Sequence, residues 1–299
     1  MPIMRSIQVF LIVVLMLSAG DASTQDEVEI SVQQLSGTVY VLFGRGGNIA
    51  VSAGEDGVFL VDDQWAEYGE AIKAAIAQIS DKPVRFVIHT HWHCDHTDGN
   101  KYFGESGAVI VAHENVRKRM SAGGYISAVD VDVPPYPDEA LPIVTFNDSL
   151  SLYLNGEVTH VIYLAPGHTD GDAIIFFKDS NIIHTGDTFI NGIYPLADLD
   201  SGGTIDGVID AANTILDLVD DDTKIIPGHG PIANRDDLQE YRNMCIELRN
   251  RVAGLKKSGM SLEEVIASDP TAGFDEKWNS WGENWKRISV TALYREVTD

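Results

Sequence analysis

The stretch His89-Thr90-His91-Trp92-His93-Cys94-Asp95-His96-Thr97-Asp98-Gly99-Asn100 sets four histidines and two aspartates directly behind the apolar run Val84–Ile88. Alternate side chains of an extended tail point the same way, so His91 and His93 can grip one ion. Asp95 and His96 then turn away as the chain tightens toward a helix near Thr97, within reach of a second ion beside the first. Neutral imidazole and carboxylate are the usual ligands of zinc, with iron or manganese as other occupants of such a nitrogen and oxygen set. An ion held this way activates water for attack on a carbonyl or phosphoryl centre.

The elements that must carry this loop are legible on both sides of it. Residues 28–61 read as short strands, Val39–Phe43, 49–52 and 58–61, punctuated by Gly44, Gly46, Gly47, Gly54 and Gly57. From Trp65 the apolar positions Tyr68, Ile72, Ile76 and Ile79 recur at helical spacing, and that helix stops before Pro83. A strand over 108–112 and a helix over 114–120 follow the loop. The second half repeats the pattern with strands at 150–154, 158–164, Ala173–Phe177 and 182–185, then a helix, then the strand Lys224–Ile226. That helix carries Ile205, Val208, Ile209, Ala212, Ile215, Leu216 and Val219 on one stripe. Strand blocks alternating with helices in two similar halves imply an α/β fold, two sheets face to face with helices outside. The end is helical: Asn234 caps a helix with Asp236 and Asp237 in its first turn, and Ser261 and Glu264 make a capping-box pattern for another. Trp278, Trp281 and Trp285 share one helical face, which we expect to pack against the domain. Residues 121–142 carry Gly123, Gly124, Pro134, Pro135, Pro137 and Pro142, too many breakers for a regular element, and read as an irregular lid.

The spacing His91-x-His93-x-Asp95-His96 resembles the signature of the metallo-β-lactamase superfamily of binuclear hydrolases, and the remaining ligands follow in that family's order. They are His168 in Ala165-Pro166-Gly167-His168-Thr169-Asp170-Gly171-Asp172, Asp187 in His184-Thr185-Gly186-Asp187-Thr188-Phe189, and His229 in Pro227-Gly228-His229-Gly230-Pro231. The resemblance implies an αβ/βα sandwich and two zinc ions. It assigns His91, His93 and His168 to metal one, Asp95, His96 and His229 to metal two, and Asp187 to the bridge. It also implies a hydroxide held between the ions as the nucleophile, with Asp95 orienting it and passing its proton onward. The seven-ligand set looks more like glyoxalase II and the lactonases than like classical metallo-β-lactamases, which lack the bridging aspartate. No separate basic C-terminal domain of the glyoxalase II kind is evident in the sequence, however, and the motif is similar to that of exported β-lactamase-like hydrolases. The expected substrate is therefore a small cyclic amide or ester, a β-lactam or lactone. A thioester hydrolase of glyoxalase II type and an iron-dependent persulfide dioxygenase of the same fold are the alternatives.

Around this set, Tyr194 is the expected hydrogen-bond donor to the developing oxyanion, with Tyr125, Tyr136, Ile193 and Leu196 as apolar wall. Asp98, Asp170 and Asp172 are candidate acceptors holding ligand rings, and His89 and His184 are candidate partners near the site. His113 and His160 are expected to be structural, and Cys94 and Cys245 to be free thiols. Forty-five acidic residues against twenty-one basic ones give a net charge of −24, which argues against nucleic acid as a partner. Residues 1–22 read as a secretory signal: Arg5, the apolar run 9–17, then Ser18, Ala19, Gly20 and Ala22. The run is shorter than the roughly 20 apolar residues a membrane span needs. We thus expect an exported, periplasmic or secreted catalytic domain over 23–299, with no stable membrane association once the signal is removed.

Overall fold

The computed structural model describes residues 29–297, so the expected signal over 1–22 lies outside the described residues. β1 (Ser31–Ser36), β2 (Val39–Phe43), β3 (Ile49–Gly54) and β4 (Gly57–Val61) form an antiparallel meander. α1 (Gly69–Ala77) buries Ile72, Ala75 and Ile76 and leads to β5 (Val84–Ile88), which lies parallel to β4. The metal loop follows β5 and contains α2 (Cys94–Thr97), after which come α3 (Asn100–Glu105) and the parallel strand β6 (Val109–His113). β4 is buried along its whole length, as strands in the middle of a covered sheet are.

α4 (Glu114–Ala122) opens the region expected to be an irregular lid, and here the structure differs. β7 (Gly124–Ile126) and β8 (Val131–Val133) pair as an antiparallel hairpin, followed by a single 3-10 turn over Asp138–Ala140. The pairing survives because Gly123, Pro134 and Pro135 fall outside the paired segments, where they end the hairpin without removing a ladder bond. The Tyr125 hydroxyl donates to Asp130 inside the hairpin, whereas that of Tyr136 meets Thr97 Oγ1 at 3.2 Å, beside the metal loop. β9 (Val144–Phe146) then completes the seven-stranded sheet alongside β6.

The second sheet has five strands: β10 (Ser149–Leu154), β11 (Glu157–Tyr163), β12 (Ala173–Phe177), β13 (Ile182–His184) and β14 (Lys224–Ile226). The first four are antiparallel neighbours, and β14 joins parallel to β13 after the crossover helix α5 (Ile205–Leu218). Between the sheets, Val41, Val61, Ile88 and Val111 meet Val161, Ile175 and Ile226 in one buried cluster. Outside the second sheet, α5 and α6 (Arg235–Lys257) lay Val208, Ile215, Leu238 and Leu248 over Ile174 and Ile183. Outside the first, α1 and α3 cover Leu60, Val87 and Ile110 with Ile72, Ile76 and Phe103. This is the expected αβ/βα sandwich.

Capping boxes at Asn234–Asp237 and Ser261–Glu264 start α6 and α7 (Leu262–Ala267), as the sequence pattern predicts. α8 (Asp275–Trp278) and α9 (Gly282–Glu296) complete a C-terminal arm folded back on α6. Among the described residues, no helix is long and apolar enough to cross a membrane.

Candidate metal centre

Loops from the strand ends of both sheets bring the seven expected ligands together. His91, His93, His168 and Asp187 each offer one ligand atom, all within 4.8 Å of one another, and Asp95, His96 and His229 form a second group within the same limit. Asp187 faces both groups: its Oδ1 lies 3.2 Å from His96 Nε2, and its Oδ2 lies 3.7 Å from His168 Nε2 and 3.6 Å from His229 Nε2. Two glycines let the backbone come this close. A Cβ at Gly228 would stand 1.9 Å from Asp187 Oδ1, and one at Gly47 would stand 2.1 Å from His96 Cε1.

The far nitrogens of the rings fix which atom faces inward. His168 Nδ1 donates to the Leu196 carbonyl at 2.7 Å, and His93 Nε2 donates to Asp198 at 3.0 Å. With those protons placed, His168 Nε2 and His93 Nδ1 present lone pairs to each other across 2.9 Å. Thr90 Oγ1 donates to Asp62 Oδ2 and so accepts from His91 Nδ1 at 3.0 Å, leaving His91 Nε2 inward, buried and without a hydrogen-bond partner. Opposed lone pairs and an orphaned buried nitrogen are unfavourable unless a cation sits between them, so the donor set fits a metal ion.

Asp62 ties the two groups together. Besides Thr90 Oγ1, its carboxylate takes the Thr90 backbone N–H at 2.9 Å and His96 Nδ1 at 2.8 Å. His96 Nε2 thereby faces His229 Nε2 at 3.3 Å.

Charge separates the groups. Burial, helped by the neighbouring His96, holds the pKa of His91 well below its ordinary value; burial and His93 lower that of His168. Both are kept as neutral ligands. Burial would also lower His96, but Asp187, Asp95 and Asp62 outweigh it and raise its pKa well above normal. Conversely, burial pushes Asp62, Asp95 and Asp187 upward, and the surrounding histidines reverse this and hold all three carboxylates low. Asp95 and Asp187 thus add carboxylate donors to the imidazoles facing the pocket, and Asp62 holds the His96 ring behind them.

Several expected roles are corrected. Tyr194 is fully buried, packed with Phe189, Ile190 and Val208, and its hydroxyl donates to Asp275 at 2.6 Å, so it is a core residue rather than an oxyanion donor. Ile193 lies in the same cluster. Asp170 is taken by Arg119, at 2.6 and 2.7 Å, and Asp98 accepts from the Ala66 backbone, so neither holds a ligand ring. Asp172 supports His168 through its backbone N–H, at 2.7 Å, not through the ring. Trp281 does not pack away: its ring stands 4.9 Å from that of His229, edge to face, and remains 43% exposed.

Other expectations match. His89 reaches Asp62, and His184 accepts from the Gly186 backbone just before Asp187. His113 caps α4 and stacks on Tyr163, and both cysteines are free. Asp62, Asp198 and Thr90 were not singled out in the sequence. For Asp62 a sequence signal exists, since two acids, Asp62-Asp63, directly follow the apolar run 58–61; in the structure Asp62 adopts φ 64°.

Residues 36–229 match the model of a family described as the metallo-beta-lactamase superfamily. The alpha subunit of a 2,4-dinitroanisole O-demethylase from a Nocardioides strain is 24% identical over 174 residues, covering 56% of this chain and 48% of that protein. A hydroxyacylglutathione hydrolase from a Polaromonas strain is 26% identical over 162 residues, 54% of each. A probable metallo-hydrolase of Bacillus subtilis is 28% identical over 141 residues, covering 45% of this chain and 58% of that protein. The chain thus spans about half the length of the curated relatives it matches. Among solved structures, the DIM-1 metallo-beta-lactamase superposes with TM-score 0.57 at 19% identity, covering 74% of this chain and 99% of its own. A double mutant of the sec-alkyl sulfatase PisA1 superposes with TM-score 0.63 at 17% identity, covering 89% of this chain and 50% of its own. These likenesses are of fold.

Proposed function

The chain belongs to the metallo-beta-lactamase superfamily, and from that premise we propose that it is a binuclear zinc hydrolase that opens a cyclic amide or ester, a β-lactam or lactone. The observation that carries this reading is the position of Asp187, one carboxylate within 3.7 Å of ring nitrogens from both ligand groups. His91, His93 and His168 would hold one ion and Asp95, His96 and His229 the other, with Asp187 shared. Two such ions supply Lewis acidity and lower the pKa of a water to about 7.

The chain's own residues do the rest. The three imidazoles of the first group are fixed in orientation, because each far nitrogen already has a hydrogen-bond partner. Asp95 has the most open carboxylate of the set, its side chain 25% exposed against 12% for Asp187. Held low in pKa by His96 and His229 despite burial, it is ionised at neutral pH and positioned to take the proton of an attacking water at Oδ2. Export through the leader at 1–22 belongs to the same proposal, tested by fractionation and by sequencing the mature N-terminus.

Protein purified without added metal should carry close to two zinc ions per chain and hydrolyse β-lactams or acyl lactones in a panel that includes thioesters and phosphodiesters. Preference for the phosphodiester would overturn the substrate assignment. The likeness to a hydroxyacylglutathione hydrolase supports thioester hydrolysis as the second reading, and preference for the thioester would select it. A single iron with oxygen uptake on a persulfide would replace the hydrolase by a dioxygenase.

A further inference from the structure

The C-terminal arm returns to the metal centre and is tied there. Ser280 donates to the Gly192 carbonyl from its backbone N–H at 3.1 Å and from its hydroxyl at 2.7 Å, and Asn279 bridges Ile193. Trp285 Nε1 donates to the Tyr194 carbonyl at 2.8 Å, and the Ser289 hydroxyl donates to that of Pro195 at 2.6 Å. The arm is therefore laced to each of residues 192–195, the segment that follows Asp187.

The three tryptophans of this arm have different surroundings. Trp278 is 3% exposed and lies against Tyr241 in the core, and Trp285 is half-buried with its N–H already bonded. Trp281 alone is left open. Its indole is braced by Trp285 at 4.5 Å and by the buried ring of His229 at 4.9 Å, both edge to face, yet 43% of the residue is exposed. Gly282, at φ 80°, lets the chain turn into α9 directly after it. Among the large apolar residues left exposed in the described chain, Trp281 is the one whose ring touches a metal ligand. A rigid, half-open indole beside a reactive centre is the usual form of an aromatic recognition wall.

We propose that Trp281 is the specificity-determining wall of the substrate mouth, and that it selects substrates carrying a flat apolar ring next to the bond that is cleaved. The identity of that bond rests on the hydrolase reading above; the stacking face does not. The arm lies beyond residues 36–229 that match the family.

The test pairs two lactones that differ only in an N-phenylacetyl or N-acetyl group, and adds saturation-transfer NMR with N-phenylacetylglycinamide, which reports on binding without turnover. In Trp281→Ala the KM preference for the phenylacetyl lactone should fall about tenfold, and saturation of the phenyl protons should fall about threefold, while Trp281→Phe retains most of both. Unchanged discrimination, or unchanged saturation, in Trp281→Ala overturns the proposal. If neither these lactones nor the β-lactams and thioesters of the panel are hydrolysed but the phenyl saturation is still lost in Trp281→Ala, the hydrolase reading fails and the wall stands. If both lactones turn over with a preference that ignores Trp281, the reading stands and the wall falls.

Discussion

The two ligand groups share the loop after β5 and are built differently. The first is three imidazoles, each with its outer nitrogen pinned, by Thr90, Asp198 and the Leu196 carbonyl. The second adds a carboxylate of its own, Asp95, partly open to the mouth, beside a His96 ring held on Asp62 and facing the shared Asp187. A fixed cage of imidazoles suits retention of an ion, whereas an ionised and accessible carboxylate suits proton transfer. The comparison therefore assigns grip to the first group and chemistry to the second.

The most severe test removes what the two groups share. Asp187→Ala should lower zinc from about two ions per chain to below one and turnover by more than about three orders of magnitude, measured by metal analysis and steady-state rates. Two ions retained would mean that the groups are independent. Next, Asp95→Asn should lower turnover about a hundredfold or more while the three-histidine group keeps its ion. A near-normal rate would move the proton work to another residue and erase the contrast. Smaller effects, about 10–100-fold in zinc affinity, should follow from the pinning residues. Asp198→Asn should weaken one binding step in a titration against a competing chelator. Asp62→Asn should weaken both, because that carboxylate holds His96 directly and His91 through Thr90. If Asp62→Asn changes one step only, the bridge between groups is not mechanical.

The ligands were legible in the sequence because each sits in a short run of chemically expensive residues just past a strand, as His91 to His96 do after β5. The sheets were legible because apolar runs alternate with helical stripes. What supports the ligands was less legible. Asp198 meets His93 across a separation of 105 residues, and no local pattern marks that pair. Tyr194 and Trp281 both differ from expectation, the first covered and the second open. Tyr194 lies close to Asp187 in sequence and Trp281 far beyond His229, and only the lacing of residues 192–195 to the arm decides which is covered and which faces out. The hairpin over Gly124–Val133 was hidden by breakers that proved to be its boundaries.

The smallest expected effect lies outside both groups and shows that proximity in sequence to Asp187 is not participation. Tyr194→Phe deletes one donor to Asp275, which also takes Lys286 Nζ at 3.0 Å. Burial raises the Asp275 pKa, but the bonds from Tyr194 and Lys286 outweigh that and hold it below its ordinary value. A group with a depressed folded pKa contributes stability that is fully present above its unfolded pKa of about 3.9 and is lost as pH falls through the folded value. Because the Asp275 side chain is 39% exposed, solvent screens the bond, and the loss in Tyr194→Phe should be about 1 kcal/mol at neutral pH. Denaturant unfolding of both proteins should show that gap narrowing below about pH 4, where Asp275 begins to protonate. Turnover in Tyr194→Phe should stay within about twofold of the parent, as for a bond that touches neither ligand group. A rate loss of about a hundredfold at unchanged stability would return Tyr194 to the oxyanion and remove the distinction drawn between core and mouth.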